Sequence, residues 1–326
     1  MTPRPNPVAA ASEAAAFPCS EAAHDAHIES IARGLIANRD AVRLVLIGGP
    51  SSAGKTTFAK RLCWHLEQAG ASTLAVSTDD FFVGDALNPR DEKGNLDYEH
   101  IKAINLDLLN SNLADLLAGR VALMPKFDFH VHAPMPERHE ARLPDGAFII
   151  IEGLHSLNPA LTPAIPDGAK HLILADTMTN PSAPAGTVRP QLHSQPAPSN
   201  GAARPSAVPS GAQRLIRRII RDAQYRGRGA AETILLWPSV VAGEERWIRP
   251  FVGNADETFD TSIPDEPGIL RPFAEPALAA IGESSPAYAT AQGLLDLMAP
   301  FAAKDATDVP SYSILREYIG GSSIQY

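Results

Sequence analysis

Apolar residues are arranged along the chain in short, nearly continuous runs and in longer stripes with helical spacing. The runs cover Val42–Ile47, Phe148–Ile151 and His171–Leu174, and Thr73–Ser77 reads as a further strand. Short runs without alternation are typical of strands that are buried on both faces of a parallel sheet. The pattern therefore predicts a sheet that is covered on both sides.

Helical stripes lie between and after these strands. Ile28, Ile31 and Leu35 recur at three- and four-residue spacing, which predicts an amphipathic helix ahead of the first strand. The helices predicted in this way cover His24–Arg39, Thr57–Gly70, Asn105–Leu117, Pro276–Ile281 and Tyr288–Phe301. Because strands alternate with helices, the fold class is α/β, with helices on both faces of a mostly parallel sheet.

Composition divides the chain into a core with three additions. Residues 1–22 are rich in Ala and Pro and are expected to form a disordered tail. Residues 177–212 are dominated by Pro, Ala, Ser and Gly and contain no acidic residue, so they are expected to be a disordered insertion within a core at 23–262. Residues 263–326 are expected to form a helical extension packed on that core.

The overall charge limits the classes of partner. The 326 residues carry a formal net charge of −9 and 44% hydrophobic residues. This balance argues against a general binder of nucleic acid or anionic membrane. Two cysteines, no apolar run of about 20 residues and no secretory leader in the first residues favour a reduced, cytoplasmic chain. A small-molecule partner is expected, and a homo-oligomer is left open.

The strand at Val42–Ile47 leads into GGPSSAGKTT, which has the spacing G-x(4)-G-K-[ST]. Small residues let the backbone curl so that successive N–H groups converge, and the following helix directs its positive end at the same point. This predicts a P-loop that binds a nucleoside triphosphate, with Lys55 on the terminal phosphates and Thr56 on Mg²⁺. The cofactor-binding residues predicted here are Gly49, Ser51, Ser52, Ala53, Gly54, Lys55, Thr56 and Thr57.

Carboxylates follow two of the predicted strands. Asp79 and Asp80 come after Thr73–Ser77, whose carboxyl end should lie beside the phosphate loop. A carboxylate there can accept a proton from an attacking hydroxyl or bind Mg²⁺, and Asp79 is preferred over Asp80. Glu152 follows Phe148–Ile151 and is expected to hold the metal together with Thr56 and Asp79. A loop or strand-end acid is the alternative for each.

Arginines crowd one predicted helix near residue 214. On a helical wheel Arg214, Arg217, Arg218 and Arg221 fall within about 100°, opposite a face of Leu and Ile. Because like charges repel, such a stretch favours an anion, and a transferring phosphoryl group is one. Arg217, Arg218 and Arg221 are therefore predicted to be catalytic, on a lid that excludes water. A solvated basic face is the alternative.

An ordered set of motifs resembles the uridine kinase and phosphoribulokinase family of P-loop kinases, and most narrowly the bacterial uridine-kinase-like proteins. The set comprises GGPSSAGKTTFAKRL, STDDFF, NLDYEH, PKFDFHVH, IIIEGLHSL and RLIRRIIRDAQYRGR, and the likeness extends to LLWPSVVAGEERWIRPF and SILREYIGG. The resemblance covers about residues 26–326 apart from the insertion. It implies a P-loop NTPase-type three-layer fold with a mostly parallel five-stranded sheet, a lid and a C-terminal helical extension, and an ATP- and Mg²⁺-dependent kinase.

The resemblance also implies an acceptor site. It gives Asp79 the role of general base, Asp97 that of holding ribose hydroxyls, and Arg214 a place among the lid arginines. Phe127, Asp128 and His132 match an element that lines a pyrimidine pocket, and their alternation suits a hairpin that stacks on a flat base. Asp97 could equally cap a helix, and His130 with His132 could suggest a metal site, although no further ligands accompany them.

Three departures from the family pattern affect the acceptor. Phe127 stands where the family has a tyrosine, Ala212 stands where it has an acid, and the Pro/Ala/Ser insertion precedes the lid. The expected function is transfer of the γ-phosphoryl group of ATP to a hydroxyl, with uridine or cytidine as the leading acceptor. A phosphorylated pentose, pantothenate, or a nucleotide-binding regulator with little turnover are the alternatives.

Overall fold

The computed structural model describes residues 18–92, 94–129, 131–178 and 208–325. The strands in these residues are β1 (Leu44–Gly48), β2 (Thr73–Ser77), β3 (Ala122–Met124), β4 (Phe127–Asp128), β5 (Ala133–Pro134), β6 (His139–Ala141), β7 (Phe148–Glu152), β8 (Lys170–Asp176) and β9 (Glu257–Asp260). The helices are α1 (Pro18–Ala37), α2 (Lys55–Gln68), α3 (Leu106–Leu117), α4 (Ser210–Tyr225), α5 (Ala230–Trp247), α6 (Glu266–Ala279), α7 (Tyr288–Met298) and α8 (Arg316–Ile319).

A five-stranded parallel sheet forms the centre, in the order β2-β7-β1-β8-β9. The predicted fold class is confirmed. Alternate residues of β1 enter two different hydrophobic clusters, since Val45 and Ile47 face one side and Leu44 and Leu46 the other. This is the two-sided burial that the continuous apolar run predicts. Because all five strands run the same way, their carboxyl ends meet at one edge of the sheet.

The larger cluster joins β1 to helices from both ends of the chain. It contains Ile28 and Leu35 of α1, Phe58 of α2, Ile219 of α4 and Leu270 of α6. Helices α6 and α7 therefore share their apolar core with the sheet. The smaller cluster covers the opposite face with α3, including Leu109 and Leu113.

Some element bounds differ from those predicted. Helix α1 begins at Pro18, so it includes the end of the segment expected to be a tail, and Glu21 within it binds Arg61 of α2 at 2.9 Å. Helix α4 begins at Ser210, inside the segment expected to be an insertion. Residues 1–17 and 179–207 lie outside the described residues.

Candidate functional site

The phosphate loop leaves β1 and turns into α2 as the motif predicts. Ser52 and Gly54 have left-handed φ values of 58° and 79°, which bend the loop sharply before the helix begins at Lys55. The Lys55 ammonium donates to the carbonyl of Pro50 at 2.9 Å and is buried beneath the loop. Residues Ser51, Ser52, Ala53, Gly54, Lys55 and Thr56 all line one cavity of about 270 Å³.

Two residues predicted to bind the cofactor do not line this cavity. A Cβ on Gly49 would lie 2.0 Å from the carbonyl oxygen of Ala175, so Gly49 serves the close approach of the loop to β8. The hydroxyl of Thr57 donates to Glu317 at 2.6 Å, and Thr57 is fully buried. The prediction is corrected for both residues: Gly49 and Thr57 shape the loop and its helix instead of facing the cavity.

One serine connects the two predicted metal-side carboxylates. Ser77 ends β2 opposite Glu152 of β7 in the parallel register. Its hydroxyl donates to Glu152 at 2.5 Å and accepts from the backbone N–H of Asp79 at 3.3 Å. Asp79 and Glu152 therefore both face the cavity that contains the phosphate loop.

Asp80 occupies a different environment from Asp79. Its carboxylate lies 3.6 Å from the ammonium of Lys126, and burial raises its pKa against the charge of that lysine. Asp79 lines both the phosphate-loop cavity and a second cavity beside it, whereas Asp80 lines only the second. The geometry favours Asp79 for the role that the sequence left open between them.

The oxygen donors at this point fit a magnesium ion. Thr56, Asp79 and Glu152 line one cavity, and Mg²⁺ prefers hydroxyl, carboxylate and water oxygens. Burial and the negative charge of Asp79 raise the pKa of Glu152 to about 7. A divalent cation bound between Asp79 and Glu152 would offset the repulsion between their negative charges. The residues present therefore fit a Mg²⁺ ion.

The predicted hairpin forms the opposite wall of the cavity. Strands β4 and β5 pair with Phe127 opposite Pro134, and Phe127 lies 5.0 Å from the ring of Phe129 and 5.5 Å from that of Phe82. His132 also lines the cavity, with a left-handed φ of 52°. The rings are tilted against one another, at interplanar angles of 55° for Phe82 with Phe127 and 68° for Phe127 with Phe129, and together they make this wall aromatic. His130 lies outside the described residues.

Asp97 faces the cavity from a turn instead of capping an α-helix. Its carboxylate accepts the N–H of Glu99 at 3.1 Å and the indole N–H of Trp247 at 3.3 Å. Tyr98 and Glu99 line the cavity beside it. Burial raises the pKa of Glu99 to about 7, against the charge of Arg218.

Helix α4 and the residues that directly follow it place four arginines around one carboxylate at the cavity. Arg218, Arg221, Arg226 and Arg228 line it, and each has a guanidinium nitrogen within 4.0 Å of Asp222. The charge of Arg221, together with burial, lowers the pKa of Arg226 to about 9. Four cations converge on Asp222 here, and Arg228 also pairs with Glu232 at 3.0 Å, so cations outnumber their acid partners and the cavity favours a negatively charged ligand.

The structure places Arg214 and Arg217 elsewhere, so their predicted contacts with substrate and transferring phosphoryl group are wrong. Arg214 binds Glu244 of α5 through two nitrogens at 2.6 and 2.9 Å. Arg217 binds Glu266 of α6 at 2.5 and 2.6 Å and is fully buried. Both instead donate from behind to carbonyls of the phosphate loop: Arg214 to Ser51 at 3.0 Å and Arg217 to Ser52 at 3.5 Å.

Several residues of the site were not predicted from the sequence, namely Phe82, Tyr98, Glu99, Phe129, Arg226, Arg228 and Glu317. Tyr98 and Glu99 adjoin Asp97 in NLDYEH, so the motif that singled out Asp97 also contained them. Glu317 reaches the cavity from α8, far along the chain. Only its place in SILREYIGG, which belongs to the motif set, could have drawn attention to it.

Residues 44–161 match the model of the Phosphoribulokinase / Uridine kinase family. The resemblance is confirmed for this part of the chain. A uridine kinase of Halobacterium salinarum is 30% identical over 112 residues, which are 34% of this chain and 48% of that protein. A uridine kinase of Ureaplasma urealyticum serovar 10 is 22% identical over 214 residues, which are 65% of this chain and 85% of that protein.

The Halobacterium match thus spans about half the length of that relative. One solved structure is that of a possible uridine kinase from Bacillus stearothermophilus, which is 26% identical to this chain. The match covers 45% of this chain and 78% of that protein, with a TM-score of 0.38. Among the helices of the described residues, none is both long and apolar enough to cross a bilayer.

Proposed function

We propose that this protein is a kinase that transfers the γ-phosphoryl group of ATP to a hydroxyl of a small molecule. One observation carries the proposal: the phosphate loop, Asp79 and the aromatic hairpin line the same cavity. A donor phosphate on the loop and an acceptor on the hairpin would therefore meet at Asp79. Phosphoryl transfer depends mainly on such positioning and on charge stabilisation.

The site residues divide the work of this reaction. Lys55 and the loop amides hold the phosphates, and Asp79 orients the acceptor hydroxyl and takes its proton. Thr56 and Glu152 would hold Mg²⁺, which when bound neutralises phosphate charge. Arg218 and Arg221 line the same cavity, which supports a role for them in stabilising negative charge on the phosphoryl oxygens.

A pyrimidine nucleoside is the first acceptor to test. Phe127, Phe129 and Phe82 provide a surface on which a flat base can stack. Asp97 presents its carboxylate to the cavity, where ribose hydroxyls could donate to it. The relatives named uridine kinase support the same choice.

An anionic acceptor, such as a phosphorylated sugar, is the second candidate. Arg226 and Arg228 lie beyond the two arginines assigned to the transferred group and share Asp222 with them. Arg226 also stacks over Phe129 at 4.9 Å, so it sits at the acceptor wall. An acceptor phosphate would neutralise this excess positive charge.

Acceptor-dependent formation of ADP tests the proposal. The purified protein is incubated with MgATP and, one at a time, uridine, cytidine, pentose phosphates and pantothenate, and products are identified by the mass of one added phosphate. We expect one class to stimulate ADP formation, with the stimulation lost in Lys55→Ala. Tight MgATP binding without stimulation by any acceptor would instead indicate a nucleotide-binding regulator.

A further inference from the structure

Helix α8 and the residues just before it pack directly against the phosphate loop. The hydroxyl of Tyr318 donates to the carbonyl of Ser52 at 3.1 Å. A Cβ built on Gly54 would lie 2.9 Å from Ile314 and 3.6 Å from the Tyr318 hydroxyl. Glu317 accepts the hydroxyl of Thr57 in the first turn of α2. Three positions of the loop and its helix are thus contacted by one short segment.

The contact at Ser52 falls on the most strained residue of the loop. Ser52 holds a φ of 58°, which a residue with a Cβ rarely adopts. Such a conformation persists only where the surroundings fix it. Two donors converge on the Ser52 carbonyl, the Tyr318 hydroxyl at 3.1 Å and the Arg217 guanidinium at 3.5 Å, and Arg217 lies 5.3 Å from the Tyr318 ring.

Both donors are themselves held firmly. Tyr318 and Arg217 are fully buried, and Arg217 is fixed by Glu266 of α6 and by the carbonyl of Thr261 at 2.9 Å. Neither residue lines the phosphate-loop cavity. Their effect on a bound nucleotide must therefore pass through the loop backbone.

We propose that Tyr318 is a positioning residue for the nucleotide site, which holds the Ser52 peptide in the conformation that binds phosphate. This inference rests on the proposed function. A loop whose peptide planes are already fixed loses little conformational entropy when the triphosphate binds. The helical layer that follows β9 is then part of the nucleotide site as well as of the hydrophobic core.

The test compares Tyr318→Phe with a matched control, Tyr312→Phe. Each variant removes one tyrosine hydroxyl from the same stretch of chain. Tyr312 lies under the guanidinium of Arg61 at 5.3 Å and does not line the cavity. We measure the Kd of MgATP by calorimetry, the separate KM values for MgATP and acceptor, and hydrogen exchange of the amides at 49–57.

Loss of one buried hydrogen bond is expected to raise the Kd and KM of MgATP roughly fivefold in Tyr318→Phe. The KM of the acceptor and kcat should stay unchanged, and amide exchange at 49–57 should become faster. Tyr312→Phe should behave as wild type in all three measurements. A merely structural role would instead change all kinetic constants together or none.

Any one of three further outcomes overturns the inference. Wild-type affinity and exchange in Tyr318→Phe would do so while leaving the proposed function intact. An equal loss in Tyr312→Phe would show that any deleted hydroxyl in this region has the same effect. If the wild-type protein itself bound no MgATP, the proposed function would fail first and this inference with it.

Discussion

At the scale of single residues, the site depends on which charges face the cavity and which are neutralised behind it. Asp79 and Asp80 are adjacent, yet Asp79 lines the cavity and Asp80 pairs with Lys126. The arginines of α4 divide in the same way. Arg218 and Arg221 line the cavity, whereas Arg214 and Arg217 are paired with buried acids behind the loop. Chemistry is expected only from the residues whose charge remains available to a ligand.

Replacing Asp79 by Asn should abolish most turnover while leaving MgATP binding measurable. The amide keeps the shape of the side chain but cannot accept the proton of the acceptor, a contribution of about 10²- to 10⁴-fold in rate. The measurement is kcat with the best acceptor from the screen. Asp80→Asn serves as the control, and equal losses in the two variants would contradict the assignment.

The buried carboxyl group of Glu99 should make the free energy of unfolding depend on pH. Burial raises its folded pKa to about 7, so the folded protein binds its proton more tightly than the unfolded chain does. As pH rises from the unfolded pKa of about 4.3 towards 7, this residue makes folding less favourable by on the order of 3 kcal/mol. Above pH 7 its contribution stays constant.

Glu99→Gln removes that titration. Unfolding in urea at pH 5 and pH 7.5 should show the variant gaining stability relative to wild type at the higher pH. The gain is expected because the amide is neutral at both values. An unchanged difference between variant and wild type at the two pH values would show that the pKa of Glu99 is not raised, so that the folded protein already carries it ionised at pH 5.

At the scale of elements, α4 is held in place by its arginines. The wheel correctly grouped Arg214 and Arg217 on one face, but their partners Glu244 and Glu266 lie on α5 and α6. Nothing in the local sequence of α4 reveals such distant acids. The arginine face could therefore be predicted, whereas its division into buried pairs and cavity residues could not.

Arg217→Ala should be strongly destabilising because it leaves Glu266 buried without its cation. The expected loss is about 3–5 kcal/mol in the free energy of unfolding, measured by urea denaturation. Arg249→Ala is the matched control, since its pair with Glu245 is partly exposed and worth at most about 1 kcal/mol. Similar losses in both variants would show that the Arg217 pair stabilises no more than a surface pair.

The strands were predicted where their sequence is continuously apolar. β2 was predicted with its observed bounds, and β1, β7 and β8 within a few residues. β9 was not located, because in Glu257–Asp260 only Phe259 is both apolar and buried, as suits an edge strand. α5 was not predicted as a helix, since it contains Pro238 and Gly243, residues that disfavour helix interiors.

At the scale of the whole molecule, elements distant in sequence converge on the phosphate loop. β1 and α2 supply the loop, β2 and β7 supply the carboxylates, and α4, α5 and α8 contact the loop from behind. The motif predicted the loop because its spacing is local. The supporting contacts come from residues 214 to 318, and only the folded chain brings them there.

Calorimetric titration of MgATP into the wild-type protein and Lys55→Ala tests the central claim most directly. The account predicts one saturable site per chain in the wild type and a large loss of affinity in the variant, because the alanine cannot replace the ammonium that reaches the phosphates. Equal binding by both proteins, or no binding of any nucleoside triphosphate by the wild type with magnesium present, would contradict it.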